Sequence, residues 1–313
     1  MDGLSHSLAC DDGIGEIATG WQQTLKAPIS CVGVGLHSGQ RVSMTLRPAP
    51  VDHGIVFRRT DIGVDIPARF ECVVDTRLCT VLAQDGARIG TIEHVMAALA
   101  GCGIDNAMVE VDGPEPPILD GSAAQFVFLL DCAGTAAQRA PRTAIEILQP
   151  VRVSDGDGDG DAFAELRPGA TVLDMALSIE FAATAIGRQD FSLRLTPESF
   201  RCELARARTF ALAEEIDQLR AAGLAQGGSL DNAVVVDQAR VLNVTGLRMP
   251  DEFVRHKLLD AVGDLALAGA PLRGRFVAHR SGHTLNHRLL RAVFADRLAW
   301  REIVPVQLSV AAE

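Results

Sequence analysis

Residues 251–267 read DEFVRHKLLDAVGDLAL. Phe253, Val254, Leu258, Leu259, Val262 and Leu265 recur at the three-and-four spacing of an amphipathic helix. His256, Asp260 and Asp264 stand four apart, so a polar stripe climbs one face of the same helix, one turn above another. The apolar positions already supply what a packing helix needs. The stripe is therefore either a solvated face with a His–Asp pair or a face that chelates. Upstream of this helix the second half of the chain reads as strands at 144–153, 162–167 and 172–180; downstream come a strand at 274–278 and a helix at 283–295. The first half runs the same way. Strands at 25–32, 41–46, 55–58, 66–70 and 78–82 precede a helix at 91–100 (TIEHVMAALA), a strand at 106–111 and a helix at 122–131. Both halves place strands first and then helix, strand, helix, a repeat of topology without residue identity. The expected class is α+β, one domain built twice. The small, proline-containing stretch 133–142 (AGTAAQRAPR) reads as the link, giving a flexible extension at 1–20, domain I at 21–138 and domain II at 139–313.

Composition narrows the function. The chain of 313 residues carries a formal charge of −11, is 48% hydrophobic and has no Tyr. Such an acidic chain with few aromatics repels nucleic acid and offers no stacking platform for single strands. No run approaches the roughly 18 apolar residues of a membrane span. Asp2, Asp11, Asp12 and Glu16 stand where a secretory signal needs basic and apolar residues. The expectation is a cytoplasmic protein with a small-molecule substrate, no membrane span, no nucleic acid and no obligate protein partner. Seven cysteines, an odd number without any C-x-x-C, read as reduced thiols rather than a disulfide framework or a zinc site. The G-x-G at 33–35 follows a strand but precedes another strand, so it is not a dinucleotide fingerprint. The segment 155–161 (DGDGDGD) begins like a calcium loop, yet the twelfth position is Leu166 where a bidentate Glu is needed; it reads as a hairpin tip.

Of eight histidines, three contexts carry potential chemistry: Glu93-His94, His256 with Asp260 and Asp264, and Ser281-Gly282-His283. The remaining histidines sit alone. Glu93 lies in a first helical turn, where the dipole alone favours a carboxylate. By the repeat, its helix corresponds to 251–267, and packing the halves through these helices would bring His94 against His256 and Asp260. Two His and one Asp leave a tetrahedral Zn²⁺ one open position, where a water would be acidified towards about pH 7. Glu93 is then placed to act as general base. His283, stabilised as imidazolium if Asp264 accepts its hydrogen bond, would be the acid; otherwise it is a helix N-cap or a surface histidine. The reaction class is hydrolysis of an amide or ester.

These motifs occur in an order that closely resembles the zinc-dependent UDP-3-O-acyl-N-acetylglucosamine deacetylases of lipid A biosynthesis. The matching strings are GVGLHSG (33–39), RPAP (47–50), FRRTD (57–61), DTRLCT (75–80), TIEHVMAALAGCGIDN (91–106) and ILDGSAA (118–124). The second half adds RARTF (206–210), GGSLDN (227–232), VLN (241–243), DEFVRHKLLDAVGD (251–264) and SGHTLN (281–286). The resemblance implies two β-α-α-β domains packed helix to helix, with the active site at their interface. It implies one catalytic Zn²⁺ on His94, His256 and Asp260, with Glu93 as base, His283 as acid and Asp264 orienting it. It further implies Thr209 at the tetrahedral oxygen, Lys257 at a substrate anion and Phe210 beside the sugar. Arg280 and His37 extend it as pyrophosphate contacts, and Cys79 is read as a small buried hydrophobe. An insert at about 181–207 would form an acyl passage lined by Phe181, Ile186, Phe191, Leu193, Phe200 and Cys202. Here the chain departs from its kin, reading FAATAIG at 181–187 where they often show Phe-x-His-Pro before Ile-Gly. Two other readings fit the same residues: a non-catalytic nucleotide-sugar binding module, and a zinc deacetylase of another N-acetyl substrate.

Overall fold

The computed structural model describes residues 20–155, 162–169 and 172–304; the 155–161 turn, apart from Asp155, and the 1–20 extension, apart from Gly20, lie outside them. The architecture is mixed α+β. One sheet of five strands runs in the order Ile29–Val34, Arg41–Pro48, Ala107–Val111, Ile55–Arg59 and Val64–Pro67. Arg41–Pro48 alternates buried Val42, Met44 and Leu46 with less buried neighbours, the period of two that turns one face inward. A second sheet of seven strands is organised on Leu272–His279, which pairs antiparallel with Phe163–Arg167 and parallel with Leu173–Glu180.

The helices are α1 (Glu93–Gly101), α2 (Ala124–Ala133), the single turn α3 (Pro197–Ser199), α4 (Ala213–Ala221), α5 (Glu252–Leu265) and α6 (His283–Ala295). α1 packs on α5, and α5 packs in turn on α6 and the seven-stranded sheet. The approach of α1 to α5 is close enough that a Cβ at Gly263 would overlap the Glu93 carbonyl oxygen. Only glycine permits it. On α5, Phe253, Val254, Leu258, Leu259 and Val262 are buried, each worth about 1.5–3 kcal/mol of transfer free energy. This apolar anchoring carries the polar stripe of the same helix out of water.

Several expected elements differ. The strand expected at 25–32 breaks into Trp21–Leu25 and Ile29–Val34, and that at 144–153 into Ala144–Ile147 and Val151–Ser154. Each break contains a proline, Pro28 or Pro150, which has no N–H for a ladder. The strand expected at 78–82 starts later, at Val81, leaving 76–80 irregular. The stretch read as a linker is mostly a strand, Thr135–Pro141, paired antiparallel with Trp21–Leu25. Its small polar residues show no hydrophobic period because backbone hydrogen bonds to a distant segment, rather than a buried face, hold it. α4 was not anticipated from the sequence; none of its residues is fully buried.

Candidate functional site

A single cavity of about 680 Å³ is lined by Glu93 and His94 from α1, His256, Lys257 and Asp260 from α5, and Arg280 and His283 at the start of α6. Thr209, Phe210 and His37 line it as well. Asp264 stands just behind, fully buried and within 2.8 Å of His283 Nδ1 through its Oδ2. The structure thus gathers all eleven residues expected from the sequence.

His94, His256 and Asp260 are buried with ligand atoms within 4.8 Å of one another. His256 Nδ1 lies 3.1 Å from the Ala207 carbonyl, which can only accept, so the ring proton sits on Nδ1 and Nε2 presents a lone pair. That lone pair faces Asp260 Oδ1 at 3.3 Å, and His94 Nε2 approaches the same oxygen at 3.6 Å. Asp260 Oδ1 is buried and has no hydrogen-bond partner among the described residues. Two imidazoles and a carboxylate, buried and converging on one point, are the donor set of a divalent cation. The other Asp260 oxygen accepts from Lys257 Nζ at 3.1 Å, which leaves Oδ1 for a metal. Burial pushes the His256 imidazole down to about 4, against the charge of Asp260, so it is neutral as a ligand must be. Burial also works against the Asp260 charge, but His256 and Lys257 outweigh it and hold this carboxyl well below the usual range.

Beside the cluster lie Glu93 and His283, with Glu93 Oε1 3.9 Å from His283 Nε2. Burial raises the Glu93 carboxyl above its ordinary range, although His283 and His94 favour its charge. Burial opposes the His283 cation, yet Asp264 by charge and hydrogen bond, aided by Glu93 and Asp260, raises it to about 9. At neutral pH His283 is an imidazolium. Local backbone geometry delivers both groups. Thr91 and Arg280, immediately upstream of the two site segments, hold φ of 52° and 50°, a left-handed conformation costly for any side chain and most so for β-branched Thr91. The Thr91 hydroxyl is tied down by donation to Glu115 Oε2 at 2.9 Å. Buried Glu115 also accepts the backbone N–H groups of His37 and Ser38, at 3.1 and 2.6 Å, and so sets the 33–39 turn on the cavity wall. A side chain at Gly35 would collide with that carboxylate.

Thr209 is held by its N–H to Gly121 O and its carbonyl from Val234 N–H, both 2.8 Å. The preceding Arg208 forms a buried ion pair with Glu252 at 2.8 Å. Phe210 meets Phe181, Phe253 and His256 edge to face, with centroids at 5.6, 5.0 and 6.3 Å. Of the six apolar residues expected along a passage, Phe181 faces the cavity. Ile186 and Phe200 are core, Leu193 packs partly buried against it, Phe191 lies under the Arg255 guanidinium and Cys202 is exposed. The apolar wing is walled instead by Leu212, Ile216, Leu219, Leu230 and Val235, from α4 and its neighbours. Burial pushes the Cys79 thiol up to about 12, so it is unreactive and packs as an apolar group.

Some residues escaped the sequence reading. Thr80 donates its hydroxyl to Asp264 Oδ1 at 2.6 Å and its N–H to Glu93 Oε2 at 3.1 Å. Asn286 donates to Asp264 Oδ2 at 2.9 Å. His287, read as a solitary histidine, is buried and 2.9 Å from the Thr80 hydroxyl. Its place four residues after His283 was the available signal.

Fold and cavity together describe a mixed α+β protein with a buried His₂Asp cluster fit for a divalent metal. Residues 22–295 match the family UDP-3-O-acyl N-acetylglycosamine deacetylase (LpxC), and the chain belongs to it. Among its relatives, a UDP-3-O-acyl-N-acetylglucosamine deacetylase of Myxococcus xanthus is 51% identical over 91% of this chain and 90% of its own length. Proteins of the same name from Anaeromyxobacter sp. and Idiomarina loihiensis are 52% and 50% identical, covering 88% and 89% of this chain and 89% and 91% of their own.

Proposed function

We propose that this chain hydrolyses the N-acetyl group of UDP-3-O-acyl-N-acetylglucosamine, releasing acetate and a free amine in lipid A biosynthesis. The observation that carries the reading is Asp260 Oδ1, set between two histidines and without a hydrogen-bond partner among the described residues, beside a Glu–His pair whose proton affinities are both raised. His94, His256 and Asp260 would hold the metal, for which we infer Zn²⁺. When bound, it supplies Lewis acidity towards the acetyl oxygen and acidifies a water. Glu93 takes the proton of the attacking water, a role that its raised proton affinity suits. His283 then protonates the departing nitrogen, without which an amine is a poor leaving group. Asp264 keeps that imidazolium charged and oriented. The Thr209 hydroxyl donates to the developing oxyanion.

The cavity's chemistry sorts the rest of the substrate. Phe210 borders the sugar, the wing bounded by Leu212, Ile216 and Leu219 takes the acyl chain, and Lys257, Arg280 and His37 face the diphosphate. In this reading domain I (21–138) brings Glu93-His94 and domain II (139–313) brings His256, Asp260 and His283. Each is a β-α-α-β unit, and they meet helix to helix through α1 and α5. No helix among the described residues is long and apolar enough to cross a membrane, in keeping with the cytoplasmic location that we infer.

Incubation of the purified protein with UDP-3-O-acyl-N-acetylglucosamine should release acetate and a ninhydrin-reactive amine. Exhaustive chelation should stop the reaction and added Zn²⁺ restore it. Substrate retained unchanged, or full activity without metal, overturns the reading.

A further inference from the structure

His287 lies on α6 one turn beyond His283, is 3% exposed and has no part in the scheme above. Its Nε2 is 2.9 Å from the Thr80 hydroxyl oxygen, which is itself 2.6 Å from Asp264 Oδ1. Asp264 is fully buried and ionised, since the His283 imidazolium at 2.8 Å outweighs the burial that opposes its charge. Its oxygens therefore only accept. The one hydroxyl proton of Thr80 is committed to Asp264, and Thr80 Oγ1 can meet His287 only as an acceptor. His287 must then carry a proton on Nε2. Its Nδ1 is buried without a partner among the described residues, which a bare lone pair tolerates better than an N–H. The opposite tautomer would bury an unpaired donor and oppose two lone pairs across 2.9 Å. Donation thus runs towards Asp264, through the Thr80 hydroxyl and also directly, since His287 Nε2 lies 3.3 Å from the same Asp264 Oδ1.

The other Asp264 oxygen takes His283 Nδ1 at 2.8 Å and Asn286 Nδ2 at 2.9 Å. Thr80 also reaches the second proton-handling group, because its backbone N–H donates to Glu93 Oε2 at 3.1 Å. The geometry points to His287 and Thr80 as a positioning relay that fixes which Asp264 oxygen faces His283 and keeps Glu93 in register with it. Neither residue touches the reacting atoms; both act through Asp264 and Glu93. The inference rests on the proposed roles of Glu93 and His283.

The test uses the metal-loaded enzyme with His287→Leu, His287→Gln, Thr80→Val, Thr80→Ser and the double variant His287→Leu/Thr80→Val. Imidazole ¹⁵N spectra, which need no substrate, should show His287 protonated at Nε2, and the His283 ring signals should move in His287→Leu. A His287 proton on Nδ1, or His283 signals unmoved, overturns the relay. In steady-state kinetics His287→Leu and Thr80→Val should each lower kcat roughly 10-fold to 100-fold with KM and metal content unchanged, whereas the Gln and Ser variants stay within about threefold of wild type. The loss in the double variant should fall well short of the product of the single losses, because both residues act on the same Asp264 oxygen. Losses that multiply, or a wild-type kcat in His287→Leu, overturn it. Should His287→Leu not fold, Thr80→Val supplies the same test, removing the hydroxyl while keeping the N–H to Glu93. If wild-type protein releases no acetate while the ring spectra behave as stated, the proposed function fails and the relay stands.

Discussion

α1 and α5 lie against each other and serve one cavity by different means. α1 brings two adjacent residues, Glu93 and His94, in its first turn, and the rest of the helix is apolar. α5 spreads His256, Asp260 and Asp264 over successive turns of one face, with Lys257 alongside. The contrast is sharpest between their carboxylates. Glu93 and Asp260 are both buried, yet the first binds its proton more tightly than usual and the second far less. Burial alone treats them alike. Asp260 accepts from the Lys257 ammonium at 3.1 Å, whereas the His283 imidazolium stands 3.9 Å from Glu93. The difference separates a permanent anion, suited to hold a cation, from a carboxylate suited to take and return a proton.

The largest expected effect would come from removing the anion of α5. Asp260→Ala should lose its metal, seen by elemental analysis, and with it about 10³-fold or more in kcat. Glu93→Gln should keep the metal and lose about 10²-fold in kcat, the scale of a general base. If both variants lose metal together, the two carboxylates do not differ as described. Asp264→Asn tests the pH profile. Because His283 is raised to about 9, the activity of the wild type should fall as pH rises through about 9, where the acid is lost. The variant should lose activity at a lower pH; an unmoved alkaline limb would show that Asp264 does not sustain the imidazolium. The same shift has a stability consequence. The folded His283 is a stronger base than the unfolded one at about 6.5, so its contribution is complete below about pH 6.5 and disappears through about 9. The smallest effect is expected from packing. Gly263→Ala should cost about 1–3 kcal/mol in urea unfolding as the added methyl forces α1 from α5. An unchanged midpoint would show that the two helices tolerate separation.

Much of this was legible from the sequence. The period of 251–267 gave a helix and its polar stripe, and the structure places that helix at Glu252–Leu265. The helix expected at 283–295 was legible too, and the structure places it at His283–Ala295. The Thr135–Pro141 strand was missed because its partner, Trp21–Leu25, lies at the far end of the first half and leaves no local period. The wing of the cavity was sought in 181–207, where aromatic residues are dense, but Phe200 is spent in the core. Modest residues such as Ile216 and Leu219 wall it instead, on a helix with no fully buried residue to mark it.

Spacing along one element was fixed by the chain itself. Residues four apart on a helix must share a face, so His256, Asp260 and Asp264 were one unit before any fold was known. Whether that unit met His94, and whether Glu93 and Asp260 would answer burial oppositely, depended on contacts between segments far apart in the chain. Gly263 lets α1 close on α5, the Ala207 carbonyl fixes the His256 tautomer, and Thr80 and His287 surround Asp264. Such contacts leave no period in the sequence, because proton affinity and metal binding respond to distances of a few ångströms through space rather than to separation along the chain.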